Sequence, residues 1–521
     1  MNFEIICPYC FRHMGDHEVL FRSEKVHTGE CDILPEQYDD VQDFQANYQG
    51  PDKENLLRRY RDWTFFQAGP DPEYERFWQA FNGTTEYDLA DAHLGVKAYH
   101  RRVIDPQDPA HQRYLRPQER GDFLIRDRQG MAVQIELTTG ERCGRRVCRF
   151  CHNPLPANYG KTPVKFLTVI GIVGAGKTVY LSQLFKNMGR YAREAGLSAM
   201  VTGPSVLNFL EANPVAVGKP LPGATPEQRL QQPLFYELAQ NAGGSRKRTE
   251  TLVMYDVAGE VFRSEQLVAR FAPFVEHADG VLLLIDPMQF EVVSSVRTDE
   301  PEREDPSRVL AVIHQIVSHG DTERKCATPF AVCISKADKM MDLFSDSLRG
   351  LLLRDLGGVQ GPDGFAEPVF DAKSYNPVLK ELTAFVRAHN MDLAHLLRTH
   401  YTHYAYFAFT ALGCGVQERR RADGSLEYQP VGPVLPKRIE EPLLWLFHML
   451  GYIPANERVG PVLCPLCGWE SRELPEEERV HVLKKGFWGL GRVEEYRNRE
   501  CLHPACRHRW YCSDAEGEAL E

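Results

Sequence analysis

The string Gly171-Ile172-Val173-Gly174-Ala175-Gly176-Lys177-Thr178 constrains this chain more than any other feature. It matches G-x-x-x-x-G-K-[ST] and stands between an apolar run, Val164 to Ile170, and a helix-patterned run, Val179 to Ala195. Glycines let such a backbone curl until successive N–H groups face phosphate oxygens, and the following helix contributes the positive end of its dipole. The pattern assigns Gly171, Gly174, Ala175, Gly176 and Val179 to a phosphate cradle. It assigns Lys177 to neutralising the β- and γ-phosphates and the Thr178 hydroxyl to Mg²⁺. A strand–loop–helix unit that binds a nucleotide is the expectation.

The rest of the central chain suits such a unit. Strand-sized apolar runs recur at Leu252 to Tyr255, Val281 to Ile285, Phe330 to Ile334 and Tyr406 to Phe409. Helical patterns lie between them, for example Val261 to Val275 and Val309 to Val317. Strands separated by crossover helices predict an α/β fold with a mainly parallel sheet. Tyr375 to His400 reads as extra helices ahead of the last strand, and Pro442 to Leu450 as a closing apolar helix. With 521 residues the chain has room for three or four domains. The expected division is an N-terminal module at 1–158 with a large α+β insertion, a nucleotide-binding domain at 161–455 with a helical insertion near 340–400, and a C-terminal module at 460–521. Within the insertion, Asn55 to Phe81 predicts two short helices broken at Gly69-Pro70, and Phe123 to Leu137 a hairpin. Asn153 to Pro156 reads as a linker.

Three further motifs end strands. Tyr255-Asp256-Val257-Ala258-Gly259-Glu260 offers the Asp256 carboxylate to Mg²⁺ through water and the Gly259 N–H to a γ-phosphate. In Ile334-Ser335-Lys336-Ala337-Asp338 the Lys336 stem can stack on a purine, and the Asp338 carboxylate can accept from guanine N1–H and its exocyclic amine. In Phe409-Thr410-Ala411-Leu412 the Ala411 N–H can meet guanine O6.

In this order the motifs resemble those of Ras-like P-loop GTPases. The spelling around Tyr255 to Glu260, the entry Ala278-Asp279-Gly280 and the helix Glu441 to Leu446 are similar to the bacterial double-GTPase group, which is associated with conflict (defence) systems. The resemblance covers about residues 161–415 and implies a GTP-binding, Mg²⁺-using, GTP-hydrolysing switch that acts on other proteins of its system. Two residues depart from the pattern. Ser335 replaces the Asn or Thr that usually precedes the base-reading Lys, which softens guanine selection. Glu260 stands where the Gln that orients the attacking water is expected, so hydrolysis is expected to be slow or partner-dependent. Glu260 as a surface residue at a helix start is the alternative. Thr225, between Gly/Pro flanks, is the candidate switch threonine; a turn residue before Pro226 is the alternative. Arg246 and Arg248 are candidates for a cis-acting finger or for solvated loop charges.

Fourteen cysteines, mostly near the two ends, suggest metal ligands in a chain without an export signal. Cys7/Cys10 with Cys148/Cys151, and Cys464/Cys467 with Cys501/Cys506, are candidate four-thiolate Zn²⁺ sites of zinc-ribbon type, which would be structural because no position is left open. The second C-terminal knuckle is spaced irregularly, so His503, His508 or Cys512 can substitute. Cys31, His27 and Cys143 are spare candidates, and His152 is not expected to ligate.

No run reaches the ~18–20 apolar residues of a membrane span, so a soluble, cytoplasmic protein is expected. The formal charge of −11 argues against general nucleic-acid affinity. Arg142, Arg145, Arg146 and Arg149 around the second knuckle, and basic residues mixed with Trp488 and Trp510, keep an alternative open. That alternative is an ATP-driven nucleic-acid-binding protein. A nucleotide-binding scaffold with little hydrolysis is the third reading, and protein docking through the zinc modules and switch regions is preferred.

Overall fold

The computed structural model describes the chain except residues 1–3, 83–89, 92–95, 120, 173, 224–231, 242–246, 288–289, 291–305, 319–324, 355, 357, 363, 421–425, 461–470, 475–479, 486–490, 503–504 and 514–521. At its centre is a seven-stranded sheet. Its spatial order is Ser198–Val201, Leu234–Asn241, Lys247–Val257, Val164–Gly171, Gly280–Ile285, Phe330–Ile334 and Tyr404–Ala408. The four pairings from Lys247–Val257 to Tyr404–Ala408 are parallel, and the two at the other edge are antiparallel. The inner strands are apolar throughout because helices cover both faces: every residue of Gly280–Ile285 and of Phe330–Ile334 is buried.

Register then decides what meets at one end of the sheet. Val169 lies opposite Asp256 and Gly171 opposite Leu284, while Ile285 pairs with Ile334 and Ile334 with Ala408. The phosphate loop, Asp256 to Glu260, Asp286, Ser335 to Asp338 and Thr410 to Leu412 therefore leave the sheet at its carboxyl edge. The chain runs to one side of Val164–Gly171 and then crosses to the other. Such a switch point is where open α/β sheets bind ligands.

The expected helices are present with shifted limits: Lys177–Glu194, Pro306–Val317, Ala372–His389, Met391–His400 and Glu441–Met449. The pattern at Val261 to Val275 is not one helix. It divides into a 3₁₀ turn at Gly259–Arg263, a helix at Glu265–Phe271 and a second 3₁₀ turn at Pro273–Val275. The Ser264 side chain caps the helix by accepting from Leu267 N–H at 3.3 Å, and Pro273 cannot continue it.

The N-terminal insertion holds the helices Lys53–Phe65 and Pro72–Asn82, and a shorter one, Val41–Asn47, that the sequence reading did not pick out. The hairpin is Leu124–Arg126 with Ala132–Glu136, joined by Arg142–Cys143 as a third strand. Phe21, Phe66, Ile104, Leu115 and Ile135 belong to a small core of its own. Asn153 to Pro156 is packed instead of serving as a free linker. Asn153 is fully buried and accepts from Trp78 Nε1–H at 2.9 Å, and Val147 bridges to Pro154. At the C-terminus the long strand Gly491–Cys501 pairs antiparallel with Ser471–Glu473, Val480–Lys485 and Arg509–Ser513. Among the described residues, no helix is long and apolar enough to cross a membrane.

Candidate functional site

The phosphate loop is held by its own backbone. Ile172 N–H donates to Leu284 O at 3.0 Å, and Ala175 N–H to Ile172 O at 2.9 Å. Gly174 and Gly176 take φ of 78° and 71°, the left-handed region that favours glycine, and Gly176 starts the helix Lys177–Glu194. Lys177 projects into the fold, with Nζ 3.1 Å from Asp256 Oδ1; each side chain is 7% exposed. Thr178 and Val179 are half-buried on the first helical turn. Gly259 backs directly onto the loop, since a Cβ there would stand 2.1 Å from Gly171 O. Glu260 follows, partly buried, in the 3₁₀ turn.

The second half of the site is tied to the first. Ser335 N–H and Oγ both donate to Ile285 O, at 3.0 and 3.1 Å. Lys336 is left-handed, with φ of 50°, and its side chain turns back across the phosphate loop. Nζ donates to Asp286 Oδ2 at 2.6 Å and to Gly174 O. Ala337 N–H donates to Phe409 O at 3.0 Å, which seats the Ser335–Asp338 segment beside Thr410 to Leu412. Asp338 is exposed on the 3₁₀ helix Ala337–Leu343, and Ala411 is partly buried. Behind Ala411, Thr410 and Lys437 exchange backbone hydrogen bonds and Leu435 N–H donates to Leu412 O at 2.7 Å.

Asp286 is a buried carboxylate that the sequence reading passed over, although it ends a wholly apolar run and so carried a signal. Thr225 and Arg246 lie outside the described residues. Arg248 is committed elsewhere: Nη1 donates to Gly451 O at 2.8 Å, Nη2 to Glu250 at 2.7 Å, and the guanidinium lies over Tyr452.

A second cluster forms at the N-terminus. The sulfurs of Cys7, Cys10, Cys148 and Cys151 all lie within 4.8 Å of one another, although the two pairs come from distant parts of the chain. The two knuckles share one geometry. Tyr9 N–H points at Cys7 Sγ and Phe150 N–H at Cys148 Sγ, each at 3.4 Å. The residue after each second cysteine, Phe11 or His152, is left-handed, with φ of 56° and 51°. Burial pushes the Cys7 and Cys151 thiols up, while hydrogen bonds from the neighbouring thiols, Cys148 first, pull Cys10 down. Four converging thiols with N–H groups turned to the sulfurs fit a tetrahedral Zn²⁺. His152 Nδ1 instead meets Asp71 Oδ1 at 2.8 Å, and Cys143 Sγ donates to Arg22 O at 2.7 Å. In the C-terminal set Cys501 is buried and Cys506 partly so, while Cys464 and Cys467 lie outside the described residues.

The arginines around the second knuckle are largely neutralised within the fold. Arg145 pairs with Glu24 and Arg149 with Glu18, and Arg142 reaches Glu136 at 3.5 Å. Buried Arg146 donates to the carbonyls of Pro156, Ala157 and Tyr159.

The family comparison agrees with this geometry. The Double-GTPase 2 family model matches residues 165–360. Over 329 residues, 59% of this chain and 80% of the relative, the chain is 25% identical to "Putative ESX-1 scaffolding and assembly protein SaeC" of Mycolicibacterium smegmatis. Among solved structures it is similar to translation elongation factor SelB of Methanococcus maripaludis, at 9% identity over 65% of this chain and 41% of that one, with a TM-score of 0.20. It is also similar to the GTP-bound Ski7 GTPase-like domain of S. cerevisiae, at 14% identity over 67% of this chain and 63% of that one, with a TM-score of 0.26. The chain thus spans less than half the length of the elongation-factor chain it matches. The central domain, matched over residues 165–360, is a P-loop GTPase-like domain resembling the Double-GTPase 2 family.

Proposed function

We propose that this chain is a Mg²⁺-dependent GTP-binding and GTP-hydrolysing switch whose cysteine modules hold structural zinc and dock partner proteins. The observation that supports it best is the convergence of the phosphate loop, the Lys177–Asp256 pair, Gly259 and the Lys336 arch at one edge of the sheet. Lys177 and the loop N–H groups hold the phosphates, and Thr178 and Asp256 are the residues that would hold Mg²⁺. Gly259 brings its N–H to the γ-phosphate side, where Glu260 is the group that would orient a water. Lys336 supplies a stem for the purine face, and Asp338 with Ala411 N–H reads its edge. Because the Ser335 hydroxyl is spent on Ile285 O, guanine selection rests on Asp338.

The relative named for scaffolding and assembly supports protein partners for this chain, and a bacterial conflict system as their setting is part of the same proposal. The experiment is calorimetric binding of GTP with Mg²⁺, followed by single-turnover hydrolysis. Lys177→Ala should weaken GTP by roughly 10- to 100-fold, as expected for loss of a charged hydrogen bond. Equal affinity in the variant would overturn the phosphate assignment. Tight binding with no cleavage over hours would move the reading to a non-hydrolysing scaffold.

A further inference from the structure

Asp286 stands at the meeting point of the two halves of the site. It follows the buried strand Gly280–Ile285 and is itself 5% exposed. Its Oδ2 is 2.6 Å from Lys336 Nζ and 3.4 Å from where a Cβ on Gly174 would stand, so the carboxylate borders the phosphate loop. An unpaired carboxylate there would repel phosphates at short range. Lys336 cancels that charge. The same Nζ donates to Gly174 O, and Lys336 Cε lies 3.5 Å from the Cβ position of Gly176. Two acceptors therefore fix the far end of the stem while the left-handed backbone fixes the near end. The backbone at Ile285 is locked as well, through both Ser335 hydrogen bonds.

We propose that Asp286 is the positioning residue for Lys336, holding the lysine stem flat across the phosphate loop as the platform on which a purine base stacks. The inference rests on the nucleotide-binding reading above and deepens it. Gly174 O alone leaves the ammonium free to swing about one bond, whereas the carboxylate, as a second acceptor, removes that freedom. The charge-assisted pair is stronger than a neutral hydrogen bond, and its carboxylate end is buried, which supports its orienting effect. Asp286 touches neither base nor Mg²⁺ in this role; it acts through Lys336.

The test compares two probes on the full-length chain, GTP and inorganic tripolyphosphate, each with Mg²⁺. Asp286→Asn keeps the shape of the side chain and removes its charge. It should weaken GTP about tenfold, the scale of one charge-assisted hydrogen bond, without weakening tripolyphosphate, since Lys336 keeps its charge beside the phosphate loop. Lys336→Met should weaken GTP as well, and because it leaves Asp286 uncompensated it should also weaken tripolyphosphate. Adding Asp286→Asn to it should remove that repulsion and cost no further GTP affinity, because the two act as one unit. The inference is overturned if Asp286→Asn leaves GTP unchanged, or weakens both probes alike as a general loss of structure would. It is also overturned if the two substitutions add. Failure of the underlying reading is seen separately, in a wild-type chain that binds neither probe.

Discussion

The Tyr255 hydroxyl donates to Pro8 O at 2.7 Å, linking the residue before Asp256 to the loop between Cys7 and Cys10. Phe11, the next residue of that knuckle, stacks on His277 at 4.9 Å and meets Phe166 edge-on at 5.7 Å. Farther along, Arg270 Nη2 donates to Ala80 O at 3.3 Å. The N-terminal module therefore grips the chain on both sides of Asp256 to Glu260. Tyr255 is buried at this contact and stacks on Phe274 at 4.2 Å. Tyr255→Phe strands the Pro8 carbonyl without its donor and should cost about 1–2 kcal/mol in urea unfolding. A loss below about 0.3 kcal/mol would show that the contact holds nothing together.

Removing metal should act on the same contact. Four thiolates crowded within 4.8 Å repel one another unless a cation or protons separate them, so the paired knuckles should depend on their ion. Cys148→Ser should lower the zinc bound per chain, measured by elemental analysis, and lower the thermal midpoint. Chelation of the wild type should do the same. An unchanged midpoint in the chelated protein, with zinc verified as lost, would contradict a structural role.

Gly259 tests the close approach of the two phosphate-side segments. A Cβ at this position would meet Gly171 O at 2.1 Å, and that oxygen belongs to backbone that cannot swing aside as a side chain could. Gly259→Ala should push the Asp256 segment off the phosphate loop. GTP affinity should fall at least roughly tenfold, with overpacking that destabilises by about 1–3 kcal/mol. A variant with wild-type affinity and midpoint would mean the two segments are not packed as described.

Glu440 should make stability depend on pH. It is 8% exposed at the start of the helix Glu441–Met449, and burial, helped by neighbouring Glu441, pushes its carboxyl from 4.5 up to about 7. The folded state then holds a proton that the unfolded state releases. The contribution is fully present below about pH 4.5 and is lost as pH rises through about 7. Glu440→Gln should lack this slope and become more stable relative to wild type above pH 7, by up to about 3 kcal/mol. Parallel stability curves for the two proteins between pH 5 and 8 would refute the assignment.

Features carried by short-range pattern were legible in the residues. The strand and helix around Gly171 to Thr178, the paired helices ahead of Tyr404–Ala408 and the break near Gly69 all follow from period and from turn residues. Features made by contacts between distant segments were not. Ser198–Val201 is largely exposed at the sheet edge and carries little apolar signal, while Leu234–Asn241 is mostly buried but joins the sheet antiparallel, a pairing that no local pattern announces. The packing of Asn153 depends on Trp78, and Asp286 takes its place at the site only because Lys336 returns from the next strand. The joining of Cys7 and Cys10 to Cys148 and Cys151 was open to inference, since each pair is incomplete without the other.

The most direct measurement is equilibrium binding of fluorescent GTP and ATP analogues, each with Mg²⁺, to the wild-type chain and to Asp338→Ala. Asp338 is exposed at the base end, so its loss should spare the fold. GTP should lead ATP clearly in the wild type, and that lead should fall by roughly a hundredfold in the variant, because a carboxylate that pairs with guanine N–H groups has no counterpart on adenine. Equal binding of the two nucleotides by the wild type, or an undiminished preference in Asp338→Ala, would contradict a guanine-reading site.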